Sequence, residues 1–452
     1  MRDALQGELA KRAELDNPLR VGVIGAGKFA TMFFSQARLL PGLHVLGIVD
    51  LDRERAIQAL KRVQWPIEQF AAKNFQEALE NGSTCLSEDA EGLLSTNGLD
   101  VVVEATGDPA SGIRHALMAI EHRKHLVMVN VEADVVAGPL LAKRANEVGV
   151  VYSLAYGDQP ALICELVDWT RSIGLEVICA GKGTKYLPQF HASTPDTVWQ
   201  HYGFSDEKIA EGEFNPRMFN SFLDGTKSAI EMAAVANATG LEPQPEGLLF
   251  PPCGINDLQQ VCRPRSVGGQ LAHSGTVEVV SSLGRDGRKI LSDLRWGVYV
   301  TFEAPNDYVK SCFTEYGLRT DDSGRYAALY RPYHLVGLEL TISILKAGLT
   351  GEATGCPRFF RGDVVATAKR DLSVGEVLDG EGGYTIYGKL MPAANALQGD
   401  ALPIGLARNL TLLKNIPVGH PICWTDVRVD PTDPTLRLRK EMEATFCPRT
   451  IV

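Results

Sequence analysis

The run Arg20-Val-Gly-Val-Ile-Gly-Ala-Gly-Lys-Phe-Ala30 restricts the fold more than any other stretch of this chain. Val21 to Ile24 is apolar and β-branched, the composition of a parallel strand buried on both faces. Gly25, Gly27 and Ala30 follow at GxGxxA spacing. Phe29 to Leu40 then reads as a helix with Phe29, Met32, Phe33, Gln36 and Ala37 on one face. Gly25 lets the chain turn off the strand, Gly27 leaves room for a pyrophosphate, and Ala30 lets helix and strand approach. The helix start, with Ala26, Lys28 and Phe29 around it, offers free N–H groups and a positive dipole end to phosphates. A second strand, Val45-Leu-Gly-Ile-Val49, ends in Asp50, where an acidic side chain suits the ribose hydroxyls. The strand–loop–helix–strand order marks a nucleotide-binding βαβ unit rather than a structural glycine turn.

Arg53 and Arg55 follow at the start of the next helix. Arg53 and Arg55 suit the 2′-phosphate of NADP, Asp50 alone suits NAD, and plain solvent-facing helix charge is an equal reading of either arginine. Asp100-Val-Val-Val-Glu-Ala-Thr-Gly107 is another buried strand, so Thr106 and Gly107 belong at the nicotinamide side of the coenzyme. The strand His125 to Asn130 leads to Glu132, which by the same rule faces the cleft, and Val150 to Ala155 is one more strand. Strand–helix alternation from Arg20 to Ala155 predicts a parallel sheet with right-handed crossovers.

With 452 residues the chain has room for two or three domains, and 45% hydrophobic with 22% charged residues is the balance of a globular protein. A net charge of −10 argues against nucleic-acid or anionic-membrane partners but leaves room for a small anionic substrate in a local basic pocket. Nine cysteines without a CxxC pair read as reduced thiols, not a zinc site. No run approaches transmembrane length. Met1 to Asn17 lacks a secretory h-region and reads as an arm or first helix, so a cytoplasmic location is expected.

Beyond Asp158 and Pro160 the pattern changes. Ala161 to Ser172 reads as a helix with Trp169 inward, and Leu175 to Ala180 as a strand. Gly181-Lys-Gly-Thr-Lys185 reads as a glycine-rich turn whose N–H groups, with Lys182, Thr184 and Lys185, suit a phosphate or carboxylate; a surface turn is the alternative. Phe190 to Glu213 reads as a polar cover. Asp224 and Lys227 lie one turn apart at a helix start, a spacing that fits a proton donor with an orienting carboxylate, with simple capping by Asp224 as the alternative. Gly268 to Val280, Lys289 to Leu294 and Trp296 to Glu303 predict an antiparallel sheet. A helix over 331–349, with Pro332 in its first turn, is expected to return to the nucleotide domain.

The closing segment, with "VVATAKRDLSVGEVL" and "NIPVGHPICWTDV", resembles a SAF domain, a small β-clip-like module. The layout before it resembles the homoserine dehydrogenase superfamily. With "RVGVIGAGKFATMFFSQA", "AYGDQPALICEL", "AGKGTKYLPQF" and "FNSFLDGTKSAIEM", nearly the whole chain is similar to the DXR-like (DRL) oxidoreductases. The expected architecture is α/β: a Rossmann dinucleotide-binding domain over 1–157 completed by helix 331–349, an α+β catalytic domain over 158–330, and a β-rich module over 358–452.

The resemblance implies an NADPH-dependent oxidoreductase, with NADH as the alternative coenzyme. Its expected reaction converts 1-deoxyxylulose 5-phosphate to methylerythritol 4-phosphate, and it implies a homodimer. A homoserine-dehydrogenase-like enzyme for another small hydroxy or carbonyl substrate is the second expectation, and a non-enzymatic nucleotide-sensing scaffold the third. Homoserine dehydrogenases carry a lysine where this chain has Val131. The true reductoisomerases have Asn-Lys-Glu, of which Asn130 and Glu132 remain. Lys185, Lys227, Asp224 and Glu132 are the expected catalytic residues, and Lys182, Thr184 and Asp158 the expected contacts to a small phosphorylated substrate. A divalent metal is left open, with Asp158 and Glu165 its conceivable ligands.

Overall fold

A computed structural model describes residues 4–211 and 214–447. Residues 1–3, 212–213 and 448–452, at the ends of the expected N-terminal arm, polar cover and C-terminal module, lie outside the described residues. The chain divides into two compact units, Met1–Leu162 with His334–Arg358, and Ile163–Tyr333 with Phe359–Val452.

The first unit is built on β1 (Leu19–Ile24), β2 (Leu43–Val49), β3 (Cys85–Ser87), β4 (Val101–Glu104), β5 (His125–Met128) and β6 (Tyr152–Leu154). All are parallel, in the order β3-β2-β1-β4-β5-β6. This is the doubly wound order, with its reversal between β1 and β4. The strands are mainly apolar, with polar residues chiefly at their ends, as expected for a sheet covered by helices on both faces. Helix Lys28–Ala37 buries Ala30, Phe33, Phe34 and Ala37, a spacing of three and four that defines one face. That face is rotated from the expected one: Phe34 turns inward and meets Trp65 edge-on at 6.3 Å. The Trp65 indole N–H donates to the Phe34 carbonyl (2.8 Å), so the ring is buried without losing its hydrogen bond.

The returning segment is shorter than its sequence suggests. It is helical over Thr341–Leu345 and then makes one π turn, Lys346–Thr350. Leu340, Ile344 and Leu345 join the core under β1. Tyr330 and Arg331 belong instead to a strand of the second unit, where cross-strand bonding to Tyr299 and Val298 outweighs the helix-start signal of Pro332.

The second unit has a five-stranded sheet of β7 (Glu176–Thr184), β8 (Glu242–Pro243), β9 (Thr276–Ser281), β10 (Val298–Glu303) and β11 (Tyr326–Arg331), ordered β11-β10-β7-β9-β8. It is mixed rather than wholly antiparallel: β7 and β8 each pair parallel with β9. The chain between β7 and β9 passes through helices Pro216–Leu223 and Thr226–Thr239, long enough for a crossover. Residues 289–294, expected as a strand, form a loop with Leu291 exposed. Trp169, expected inward, is 42% exposed and lies edge-on to Phe302.

The same unit contains two antiparallel pairs, β12 (Gly362–Ala368) with β14 (Ile386–Pro392), and β13 (Val377–Asp379) with β15 (Arg408–Thr411). Helix Thr226–Thr239 is small-residue-rich because it packs against β12. The buried Asn237 side chain accepts from Arg361 N–H (2.7 Å) and Gly362 N–H (2.9 Å) and donates to the Gly362 carbonyl (3.1 Å). Helix Pro434–Phe446 closes the segment through Arg439, which is fully buried, pairs with Asp363 and Glu443, and lies over Phe360. The α/β class with a Rossmann-type parallel sheet, a second sheet and small antiparallel sheets therefore holds. No helix among the described residues is long and apolar enough to cross a membrane.

Candidate functional site

In the first unit the expected coenzyme residues converge at the carboxyl ends of β1, β2, β4 and β5. Gly25 has φ +100°, and a Cβ there would lie 2.6 Å from the Ala105 carbonyl oxygen, so only glycine fits between the two strand ends. Gly27 begins helix Lys28–Ala37 with no side-chain cap, and a Cβ there would meet nothing within 4 Å. The loop thus leaves open space in front of uncapped N–H groups. Asp50 is 7% exposed; its carboxylate accepts from Ala26 N–H (2.7 Å) and Asp52 N–H (2.9 Å), which ties the tip of β2 to the loop. The guanidinium nearest Asp50 is that of Arg55 (3.8 Å), whereas Arg53 is the exposed first residue of its helix. Of the loop side chains Lys28 is exposed and Phe29 half-buried.

Thr106 and Gly107 lie exposed beyond β4. The Thr106 hydroxyl donates to Glu104 (2.6 Å), and Asn130 Nδ2 donates to the Asp108 carbonyl (2.9 Å) and to Thr106 Oγ1 (3.4 Å). Asn130 Oδ1 accepts from Ala133 N–H, which makes it the cap of helix Val131–Glu147. Glu132 is half-buried in that helix's first turn. Two residues here were missed from sequence: Glu104, fully buried at the end of β4, and His115, whose Nδ1 is 3.2 Å from the Glu104 carboxylate. A glutamate closing an apolar run was the available signal. Asp158 accepts from its neighbour Gln159 N–H (2.8 Å) at the start of helix Gln159–Ser172.

In the second unit two expectations change. The Gly181–Lys185 stretch is not a loop; all but its last residue lie in β7. A Cβ at Gly181 would fall 1.7 Å from the Glu278 carbonyl oxygen and one at Gly183 2.0 Å from that of Leu294. These glycines serve close backbone approach, not a turn. Lys182 is buried and pairs with the buried Glu231 of helix Thr226–Thr239, so its charge is already met within the unit. Thr184 is half-buried at the strand end. Lys185 is half-buried beside it, donates to the His201 carbonyl (2.5 Å) and lies over the Tyr202 ring. Burial first, then the nearby Arg295 and Lys289 charges, lower its pKa.

The second change concerns Asp224. Its partner is Lys369, not Lys227: the Lys369 ammonium lies 2.8 Å from Asp224 Oδ2, with both side chains at most 2% exposed. The other Asp224 oxygen accepts from Thr226 N–H (2.9 Å). Lys369 also donates to the Ser193 (2.7 Å) and Gly383 (2.8 Å) carbonyls. The ammonium 2.8 Å from Oδ2, itself held by two main-chain carbonyls, offsets the cost of taking the carboxylate out of water. Lys227 is the half-buried second residue of the helix. Lys369 follows β12 in the C-terminal segment, and no spacing rule links it to Asp224.

Beside this pair stands a group with no sequence signal. His191 Nδ1 is 2.7 Å from the Asp224 carbonyl oxygen and Nε2 is 2.9 Å from the Tyr186 hydroxyl. A carbonyl only accepts, so Nδ1 carries the hydrogen and Nε2 accepts from Tyr186. Burial lowers the His191 pKa, keeping the ring neutral, and pushes Tyr186 up to about 12. Tyr186 stacks on Phe250 and His191 on Tyr387. No cluster of three or more metal-binding side chains occurs among the described residues. All nine cysteines are free thiols.

Residues 157–340 match the family model of the catalytic domain of oxidoreductase DRL. This stretch is thus similar to an oxidoreductase catalytic domain. No curated protein matches the chain. Among solved structures, a myo-inositol dehydrogenase from Lactobacillus casei, in complex with NAD(H) and myo-inositol, is 16% identical over 40% of this chain and 50% of that chain, with a TM-score of 0.28. A probable dehydrogenase from Thermotoga maritima is 12% identical over 74% of this chain and 90% of that one, with a TM-score of 0.39. The chain spans half the length of the first of these.

Proposed function

We propose that the protein is an NADPH-dependent oxidoreductase that converts 1-deoxyxylulose 5-phosphate to methylerythritol 4-phosphate. The observation that carries the coenzyme half is the uncapped start of helix Lys28–Ala37 behind Gly27, with Asp50 bound to the loop. A dinucleotide fits these residues: Gly27 to Phe29 would hold its pyrophosphate, Asp50 the adenosine ribose, Arg53 or Arg55 a 2′-phosphate, and Thr106, Gly107 and Asn130 the nicotinamide side. When bound, the nicotinamide supplies the hydride. The match to the DRL catalytic domain supports an oxidoreductase, and the substrate is proposed from the sequence resemblance to the DRL group.

The chain's own residues then have two tasks. One is to give a proton to the oxygen of a reduced carbonyl. Lys185 suits this, because burial and the Arg295 and Lys289 charges favour its neutral form and so ease proton release. Lys227 is the alternative donor, and Glu132 or Asp158 would move protons in the carbon-skeleton rearrangement. The other task is to hold the substrate, here with Thr184 and Lys185. Lys182 and Asp224 act through their ion pairs as positioning residues for β7 and helix Thr226–Thr239. The C-terminal segment, read as SAF-like, contributes Lys369 to the same unit. We further propose a cytoplasmic homodimer.

The test is purified protein with NADPH and 1-deoxyxylulose 5-phosphate, followed by nicotinamide absorbance with and without a divalent metal. Coenzyme oxidation is expected. Lys185→Met is expected to lower kcat by about 10²-fold with coenzyme affinity unchanged. No oxidation under either condition removes the substrate assignment.

A further inference from the structure

A cavity of about 230 Å³ opens in the second unit between helix Thr226–Thr239, the segment ending in Phe250, and β14. Its walls include Leu248, Phe250, Leu390 and the Tyr387 ring, with Gly225 on its floor. Gly225 has φ +89°, and a Cβ there would sit 3.3 Å from His191 and 3.4 Å from Phe250, so glycine keeps the floor open and the aromatic wall undisturbed. Both His191 nitrogens are engaged with Asp224 and Tyr186, so the cavity meets the ring and not a free donor.

Three polar side chains of the lining are uncommitted. Lys389 is half-buried with its stem along Gly247, and among the described residues its ammonium has no hydrogen bond or ion pair. The Tyr387 hydroxyl likewise has no hydrogen-bond partner among the described residues. Glu246 is exposed and does not pair with Lys389, although both line the same space. The Lys389 stem lies along the cavity wall, which leaves its ammonium free to meet an anion that enters the space.

We propose that this cavity binds a small organic monocarboxylate with a short apolar stem, its carboxylate held by Lys389 and Tyr387 and its stem against Phe250, Leu248 and Leu390. One cation with a carboxylate nearby favours a monoanion over a phosphate dianion. The apolar wall requires a stem, as small-molecule sites generally do. The site uses none of the residues assigned to the coenzyme or to proton transfer.

Titration calorimetry of the full chain at low salt, without coenzyme, tests this with isovalerate, leucine and inorganic phosphate as separate probes. One equivalent of isovalerate or leucine is expected to bind. Lys389→Met should weaken binding at least about tenfold, Lys389→Arg should retain it, and Tyr387→Phe should weaken it about threefold. Leucine binding tighter than isovalerate, with the gain lost in Glu246→Gln, would add an ammonium to the recognised class. Binding of phosphate alone, no binding of either organic acid, or an affinity unmoved by Lys389→Met overturns the proposal. Because coenzyme and turnover are absent from the measurement, its failure is separate from failure of the NADPH reading.

Discussion

The first unit shapes its candidate site with backbone, the second with buried charge. At the β1 loop the determining features are a positive φ at Gly25, missing Cβ atoms and main-chain N–H groups that bind Asp50. In the second unit they are two interior ion pairs, Lys369 with Asp224 just before helix Thr226–Thr239, and Lys182 of β7 with Glu231 of that helix. A backbone device acts over a few residues and can be read from a short motif. An ion pair needs two distant parts of the chain to arrive together. The two should also fail differently, by steric strain in one unit and by an uncompensated charge in the other.

Lys369→Met is the strongest test of the charge side. It leaves Asp224 buried without its cation and is expected to cost about 3–5 kcal/mol by urea unfolding, with most of that regained in the double variant with Asp224→Asn. Equal stability of Lys369→Met and the parent would break the contrast. On the backbone side Gly25→Ala is expected to cost about 3 kcal/mol, since its Cβ strikes the Ala105 carbonyl in a left-handed conformation. The readout is loss of amide-exchange protection across Val21 to Ile24.

A third test separates the units by pH. Asp134, buried and hydrogen-bonded by the Tyr152 hydroxyl (2.9 Å), has its pKa raised by burial to about 7. The folded form therefore keeps a proton that the unfolded form releases near 3.8. Its contribution is full below that value and is lost as pH rises towards 7, at up to about 1.4 kcal/mol per pH unit. Asp134→Asn should flatten the slope seen in urea midpoints. Glu278 in the second unit, pushed to about 8 by burial, adds a slope of the same sign that Asp134→Asn leaves intact. The smallest effect on stability is expected at Gly27→Ala, within about 0.5 kcal/mol of the parent, because the added methyl meets open space. The same variant should weaken NADPH binding about tenfold or more by calorimetry, since that space is where the pyrophosphate would approach. A large stability loss at Gly27, or none at Gly25, would blur the backbone reading.

What could be read from the sequence follows the same division. The parallel sheet and the glycine loop rest on strand-end residues and short spacings, which the motif makes visible; that Asn130 caps its helix was not read from the sequence. The face of helix Lys28–Ala37 was misjudged because Phe29 and Phe34 are equally apolar, and it is Phe34 that is fully buried, against Trp65. Gly181 to Lys185 was misread because glycines that admit a neighbouring carbonyl look, in sequence, like glycines of a turn. Lys369, His191 and Tyr387 were missed because their partners lie far along the chain or are main-chain carbonyls, which leave no residue pattern.

The Asn237 clamp on Arg361 and Gly362, together with the Lys369 ammonium, bears on how such a gene can change. A terminal segment that merely hung from its neighbour could be traded by recombination as an independent cassette. Here the incoming piece would have to bring a cation to the same depth and two main-chain amides to the same asparagine, or leave the recipient with a stranded acid in its interior. The parts on either side of the seam are thus constrained to drift in concert, so compensating replacements should pair Asp224 with position 369 and Asn237 with the entry to β12.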